Sequence, residues 1–292
     1  MPGLLRIGGR QRQEQVATRG EEHAPTAIGG SLADCSPEGA AILSPVRNDV
    51  EALGRAAANM ARWHATSVEA LGQASLWYPG LWATNGAIPA LYLNAIVFGP
   101  REIEHLASFV AASPSTKRLA IADSTNQLDL APLGLVRERA HPCFWRTPGP
   151  TGEPPMPGEL EILEVTSADV LAEFEATSVV GFEGESVPRF AHHAPGVLAD
   201  PCYRLWLGSV QGLGVGAAMA YVADDLIGIY GVTVVPGARR RGYGAALTWR
   251  AIQADPRLPA TLQPSDMAVR MYRRLGLAPI GHLSGWHRAG RV

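Results

Sequence analysis

The sequence predicts an α/β chain built from two domains, on three observations. Its 292 residues exceed the ~100–200 of one ordinary domain. Segments with helical and with strand periodicity alternate along it, the pattern of sheets flanked by helices. Near the middle, Thr147-Pro-Gly-Pro-Thr-Gly-Glu-Pro-Pro-Met-Pro-Gly158 concentrates more proline and glycine than a helix or central strand tolerates. The predicted division is a flexible leader at 1–44, a first domain at 45–148, a linker at 149–158 and a second domain at 159–292.

Residues 1–44 carry no sustained apolar periodicity, so they bury too little to offset the entropy of ordering. From Val46 to about Leu71, Val50, Leu53, Ala57, Met60, Ala61 and His64 recur at helical spacing, with Asn48 as a cap. A Trp/Tyr/Gly/Pro loop follows, then a strand within Ala90–Phe98, a helix over 101–112, a strand near Leu119 and another ending in Phe144-Trp-Arg146. The second domain opens with the alternating strand Leu160–Thr166 and a helix capped by Ser167 or Asp169. Strands at 203–210 and 214–222 form a hairpin around Gln211-Gly212-Leu213, and a strand from Leu226 stops at Pro236-Gly237. A helix over 242–254, a short strand at 259–263, a helix from Ser265 to Leu275 and closing strands between Pro279 and Arg288 complete the chain.

Composition narrows the function classes. With 25 Lys+Arg against 27 Asp+Glu the net charge is −2, too balanced to lead with a nucleic-acid or anionic-membrane surface. No stretch approaches the ~18–20 apolar residues of a membrane span, and the N-terminal residues turn polar where a secretory signal would continue, so the cytoplasm is expected. Three scattered cysteines, Cys35, Cys143 and Cys202, give neither a disulfide framework nor metal-ligand spacing; isolated thiols and no metal are expected. Lys117 is the only lysine, which excludes a P-loop and leaves one residue for any Schiff base.

The most informative stretch is Val232-Thr-Val-Val-Pro-Gly-Ala-Arg-Arg-Arg-Gly-Tyr-Gly-Ala-Ala-Leu247, a strand, a basic turn and a glycine-opened helix. A helix N-terminus presents unpaired amides and a partial positive charge, so it favours a phosphate. Gly242 and Gly244 allow close backbone approach, and Arg239, Arg240 and Arg241 add charge suited to a pyrophosphate. Gly212-Leu-Gly-Val-Gly-Ala217 fits a dinucleotide fingerprint by letters alone; it leaves no room for a helix and has no acid ~20 residues on, so it reads as a hairpin. Downstream, Ala268, Met271, Tyr272 and Leu275 share one helical face that Gly276 terminates.

Together these residues resemble the GCN5-related N-acetyltransferase (GNAT) family. Arg239, Gly242 and Gly244, after a strand ending in Val-Pro, match its pyrophosphate signature; Ser265, Tyr272 and Leu275-Gly276 match its second, with Leu277 where phenylalanine is usual. The resemblance covers about residues 160–290 and implies a mixed, mainly antiparallel sheet flanked by helices. The first domain resembles, in layout and in Cys143-Phe-Trp-Arg, the degenerate half of tandem members; it lacks the signature and is expected to wall the substrate cleft.

The resemblance further implies acetyl-coenzyme A as co-substrate, lying between the strand ending at Val234 and that at 260–263. Backbone groups of Val232, Thr233 and Val234 line the pantetheine, and the turn Arg239–Ala245, including Tyr243, with Ser265, completes the coenzyme site. An amide near Val234 is expected to polarise the thioester. Tyr272 is the expected acid for the thiolate, and Glu183, Glu185, His192 and His193 are candidates for the base. The expected reaction is direct attack by the primary amine of a small molecule, with the protein a monomer or homodimer. Acetylation of a protein or peptide and a non-catalytic acyl-coenzyme A sensor are the alternatives.

Overall fold

A computed structural model describes residues 49–99, 103–149, 153–184 and 186–288. Both the leader and Asn48 lie outside them. The first half is α1 (Asp49–Ala70), β1 (Leu76–Tyr78), β2 (Leu81–Ala83), β3 (Ala95–Val97), α2 (Ile103–Ala112), β4 (Leu119–Asp123), β5 (Val136–Arg137) and β6 (His141–Arg146). The second is β7 (Glu161–Glu164), α3 (Ala168–Gly181), β8 (Tyr203–Val210), β9 (Leu213–Ala223), β10 (Leu226–Val234), α4 (Tyr243–Ile252), β11 (Ala260–Leu262), α5 (Val269–Arg274) and β12 (Ala278–Arg288).

The strands join in the order β1-β2-β3-β4-β12-β6-β11-β10-β9-β8-β7, with β5 beside β12. Only β3–β4 and β10–β11 are parallel, so the arrangement is the expected mixed, mainly antiparallel one. The halves exchange strands. β6, from before the proline-rich segment, lies between β11 and β12; β12, the last strand, pairs β6 through Ala278–Leu283 and β4 through Ser284–Arg288. A register shift between Pro279 and Gly281 marks a bulge in β12.

Strand alternation builds two cores. On β9, Ala217, Met219 and Tyr221 face a cluster with Met60 and Trp63 of α1 and Phe174 of α3, while Ala218 and Ala220 face one with Leu247 of α4 and Tyr272 of α5. α1, which belongs to the first half in sequence, thus packs against both halves, because the same cluster also holds Trp82, Tyr92 and Ile96. Its Asn59 Nδ2 donates to the carbonyls of Tyr221, Ala223 and Leu226 at 3.2–3.3 Å, and Arg62 meets Asp224 at 2.6 Å.

Several sequence readings need correction. The Trp/Tyr/Gly/Pro loop contains the β1–β2 hairpin, turning at Gly80 with φ 86°. The strand read within Ala90–Phe98 is confined to β3, and the closing strands are one. The helix expected from Ser265 begins only at Val269; residues 266–268 form a turn in which the Ser265 carbonyl accepts from the Ala268 amide at 2.9 Å. Cys202 is disulfide-bonded, against the expectation of isolated thiols; Cys143 is a buried free thiol. Among the described residues no helix is long and apolar enough to cross a membrane.

Candidate active site

The site begins where β10 leaves its neighbour. β10 pairs β11 only at Ile227 and Gly228, so the rest of that edge is open. On the other edge the ladder to β9 shifts register between Tyr230 and Thr233, a bulge containing Gly231 at φ 58°. Glycine meets the backbone requirement there; the atom nearest a β-carbon would be the movable Met219 methyl. Past the bulge, Val235 donates to Val215 at 3.0 Å, and by alternation Val234 turns to the open edge, where its carbonyl accepts from Arg239 Nε at 3.1 Å. The break in the ladder therefore falls at Gly231–Val232, not at Val234 where the polarising amide is expected. Thr233 is buried inward against Gly181 of α3.

Beyond β10 the chain turns sharply into α4. Arg240 and Gly242 both take positive φ, 66° and 87°, and Gly242 is the N-cap. Alternating backbone conformations of this kind converge successive amides into an anion-binding concavity at a helix start. Ala245 and Ala246 donate to the Gly242 carbonyl, whereas among the described residues no acceptor meets the amides of Arg240 to Gly244. Arg240 and Arg241 are exposed beside them.

Three expected coenzyme contacts sit differently in the fold. The Arg239 guanidinium is occupied: besides Val234 it donates to the Gly181 carbonyl at 2.9 Å and to Glu183 Oε1 at 2.7 Å, clamping the turn to the end of α3. The phenol of Tyr243 points away to Glu159 at 2.7 Å, leaving only its amide to the turn. Ser265 is exposed and caps nothing.

Tyr272 is 6% exposed, under α4, and a β-carbon on Gly244 would touch Met271 of the same short helix at 3.5 Å. Burial pushes the Tyr272 phenol up to about 12, partly offset by a hydrogen bond with Thr248, so it holds its proton at neutral pH. Gly276, φ 83°, ends the helix, and Leu277 donates back to the Tyr272 carbonyl at 3.1 Å.

A cavity of about 310 Å³ opens beside the bulge. Ile229, Tyr230 and Gly231 line one side and Thr261 and Leu262 of β11 with Gln263 another; Leu91, Leu93 and Glu138 with α1, β4, β6 and β12 close the rest. None of the described base candidates lines it. Glu183 pairs with Arg239; His192 gives its amide to Glu175 at 2.6 Å; His193 is buried against Phe174 and Tyr92, which lowers it to about 3. Glu185 lies outside the described residues. What the sequence reading missed is His64, which lines the cavity from α1 and whose only signal was a histidine on an apolar helical stripe.

Residues 168–277 match the family model described as acetyltransferase (GNAT) family, a span from α3 to the end of the second motif. The fold resembles a GCN5-related N-acetyltransferase from Kribbella flavida, at 21% identity and TM-score 0.55, over 79% of this chain and 96% of that one. It also resembles a putative GNAT acetyltransferase from Novosphingobium aromaticivorans, at 18% identity and TM-score 0.53, over 79% of this chain and 99% of that one. Coverage of that extent reaches well beyond the matched domain into the first half. No curated protein matches the sequence. With the glycine turn, the splayed strands and the matched span coinciding, residues 168–277 carry an acetyltransferase domain of the GNAT type, a family that uses acetyl-coenzyme A as co-substrate.

Proposed function

We propose that the protein transfers an acetyl group from acetyl-coenzyme A to the primary amine of a small molecule by direct attack. The observation that carries this is the coincidence, along β10 and the turn that follows it, of three features: the unpartnered amides of Arg240–Gly244, the open side of β10 and the bulge at Gly231. The pyrophosphate sits on the amides, with Arg240 and Arg241 adding charge. The pantetheine lies along Val232 and Val234 like an added strand. Amides released from the ladder at Gly231–Val232 face the thioester oxygen, where loss of one such donor costs about 3–4 kcal/mol of barrier.

The amine nitrogen attacks the carbonyl carbon, the C–S bond breaks and the electron pair leaves with sulfur. Tyr272 protonates the thiolate; a phenol above the ordinary range of about 10 is a reluctant acid in water but well matched to a thiolate forming in a buried site. The first half, cofactor-free in this reading, walls the acceptor side and supplies β6 to the second half's sheet. Enclosure by both halves favours a small acceptor over a folded protein.

Isothermal titration with acetyl-coenzyme A, followed by assay of thiol release with an amine library, tests the reading. Micromolar binding that Gly244→Trp abolishes, with turnover of a small amine, is expected; undiminished binding by that variant overturns it.

A further inference from the structure

His64 is 2% exposed and lies on α1 among the rings of Trp63, Trp82 and Tyr92, at centroid distances of 4.6, 5.6 and 5.7 Å. Its Nδ1 is 2.9 Å from the carbonyl oxygen of Met60. A carbonyl only accepts, so Nδ1 carries the ring hydrogen and Nε2 of the neutral ring carries a lone pair. Burial favours that neutral ring, lowering its pKa to about 4. Nε2 is fully buried and has no hydrogen-bond partner, a costly state for an acceptor unless a donor arrives. The residue lines the same cavity as Gly231 of the bulge.

The rest of the lining says what could bring that donor. Met60, Trp63, Tyr230, Leu283 and Trp286 give it an apolar character, and Trp63 stacks on Tyr230 at 4.3 Å and 9°. The Tyr230 hydroxyl is used, donating to Asn59 Oδ1 at 2.8 Å. Glu138 is the one carboxylate in the lining, beside His141 and within 3.0 Å of His287 Nδ1, and no arginine or lysine is among the lining residues. A ligand carboxylate would find one like charge and no cation in the lining, the nearby Arg137 being engaged with Ser284 Oγ at 2.8 Å and set over the Trp286 ring, whereas an amine finds both an acceptor and an anion. The volume of about 310 Å³ is at the lower end for small-molecule sites.

We propose that this cavity is the acceptor site, that it takes a small monoamine with an apolar body and no carboxylate, and that His64 Nε2 receives the N–H of that amine. This rests on the acetyltransferase reading above and adds to it the substrate class and the proton acceptor. The amine reacts as its free base: its lone pair forms the C–N bond, the C–S pair leaves with sulfur, and the excess proton on nitrogen passes to His64 Nε2, then to solvent.

The test measures thiol release from acetyl-coenzyme A by wild-type protein with 2-phenylethylamine, tryptamine and hexylamine, against phenylalanine, tryptophan and a short peptide with a free N-terminus. Monoamines should exceed the amino acids in kcat/KM at least 100-fold. His64→Phe should lower kcat/KM for the best monoamine at least 100-fold while coenzyme affinity stays within twofold, and His64→Gln, which keeps an acceptor, should restore part of the loss. Equal use of amino acids, use of the peptide alone, turnover of no amine in the panel, or a His64→Phe protein within threefold of wild type overturns the inference. The wild-type panel decides even if a variant fails to fold. Where coenzyme binding persists through such a result, the acetyltransferase reading stands; where binding is also absent, both fall.

Discussion

The coenzyme turn and the amine cavity lie on either side of the same bulge and are built in opposite ways. The turn is local: residues 239–245 carry the charge, the two glycines and the helix start within one short stretch, and its geometry depends on two positive φ angles. The cavity is assembled from α1, β4, β6, β10, β11 and β12, with lining residues from Ala56 to Trp286. Local geometry tolerates few residue types and so leaves a motif. A surface gathered from so many segments constrains each position only weakly, through burial and shape.

That contrast orders the expected effects of mutation. Gly244→Trp should act most strongly, raising the dissociation constant of acetyl-coenzyme A at least 100-fold by titration calorimetry, because an indole there fills the space between Val234 and Met271; near-normal affinity would mean the turn holds no phosphate. Tyr272→Phe should reduce kcat about 100-fold with coenzyme affinity unchanged, in stopped-flow thiol release. An unchanged kcat would remove the phenol from the chemistry and leave it a packing residue.

Two buried histidines, one at the cavity and one beside Phe174, give a signature in pH. His64 and His193 are held neutral by burial, at about 4 and about 3 against 6.5 when unfolded. The unfolded chain therefore binds more protons below pH 6.5, and stability is present above that pH and lost as pH falls toward 4 and then 3. Full loss amounts to roughly 3 kcal/mol or more per ring, from about 1.4 kcal/mol per pKa unit. Urea midpoints at pH 7, 5.5 and 4 should decline steadily, and a flat profile would mean the rings are not buried in solution. The smallest effect is expected at the clamp. Arg239→Gln loses the link to Glu183, an exposed pair worth at most about 1 kcal/mol, and should weaken coenzyme binding only several-fold; a loss as large as that of Gly244→Trp would place the guanidinium on the coenzyme instead.

Much of the fold was legible because periodicity and turn chemistry are local. The Ser167 cap, the Gln211-Gly212 hairpin and the Gly276 stop all stand where the sequence puts them: the Ser167 side chain accepts from the Val170 amide, and Gln211 and Gly212 take φ of 52° and 77°. The β1–β2 hairpin was hidden because three-residue strands are too short for a period to emerge. The helix was expected to open at Ser265, yet the chain leaving β11 uses a turn before the helix can start. Within the site, Gly242, Gly244 and Tyr272 were found by spacing. His64 was not, since a one-dimensional pattern cannot show that an apolar stripe borders a cavity with an unfilled acceptor.

The exchange of β6 and β12 has a consequence for how the gene could be cut. A fragment ending before the proline-rich segment would lack the C-terminal strand that flanks β4, and one starting after it would expose the β11 edge that β6 covers. Each piece carries the strand that the other lacks. Co-expressed, the two should reassemble into one active particle, making this chain a natural split reporter whose signal depends on complementation.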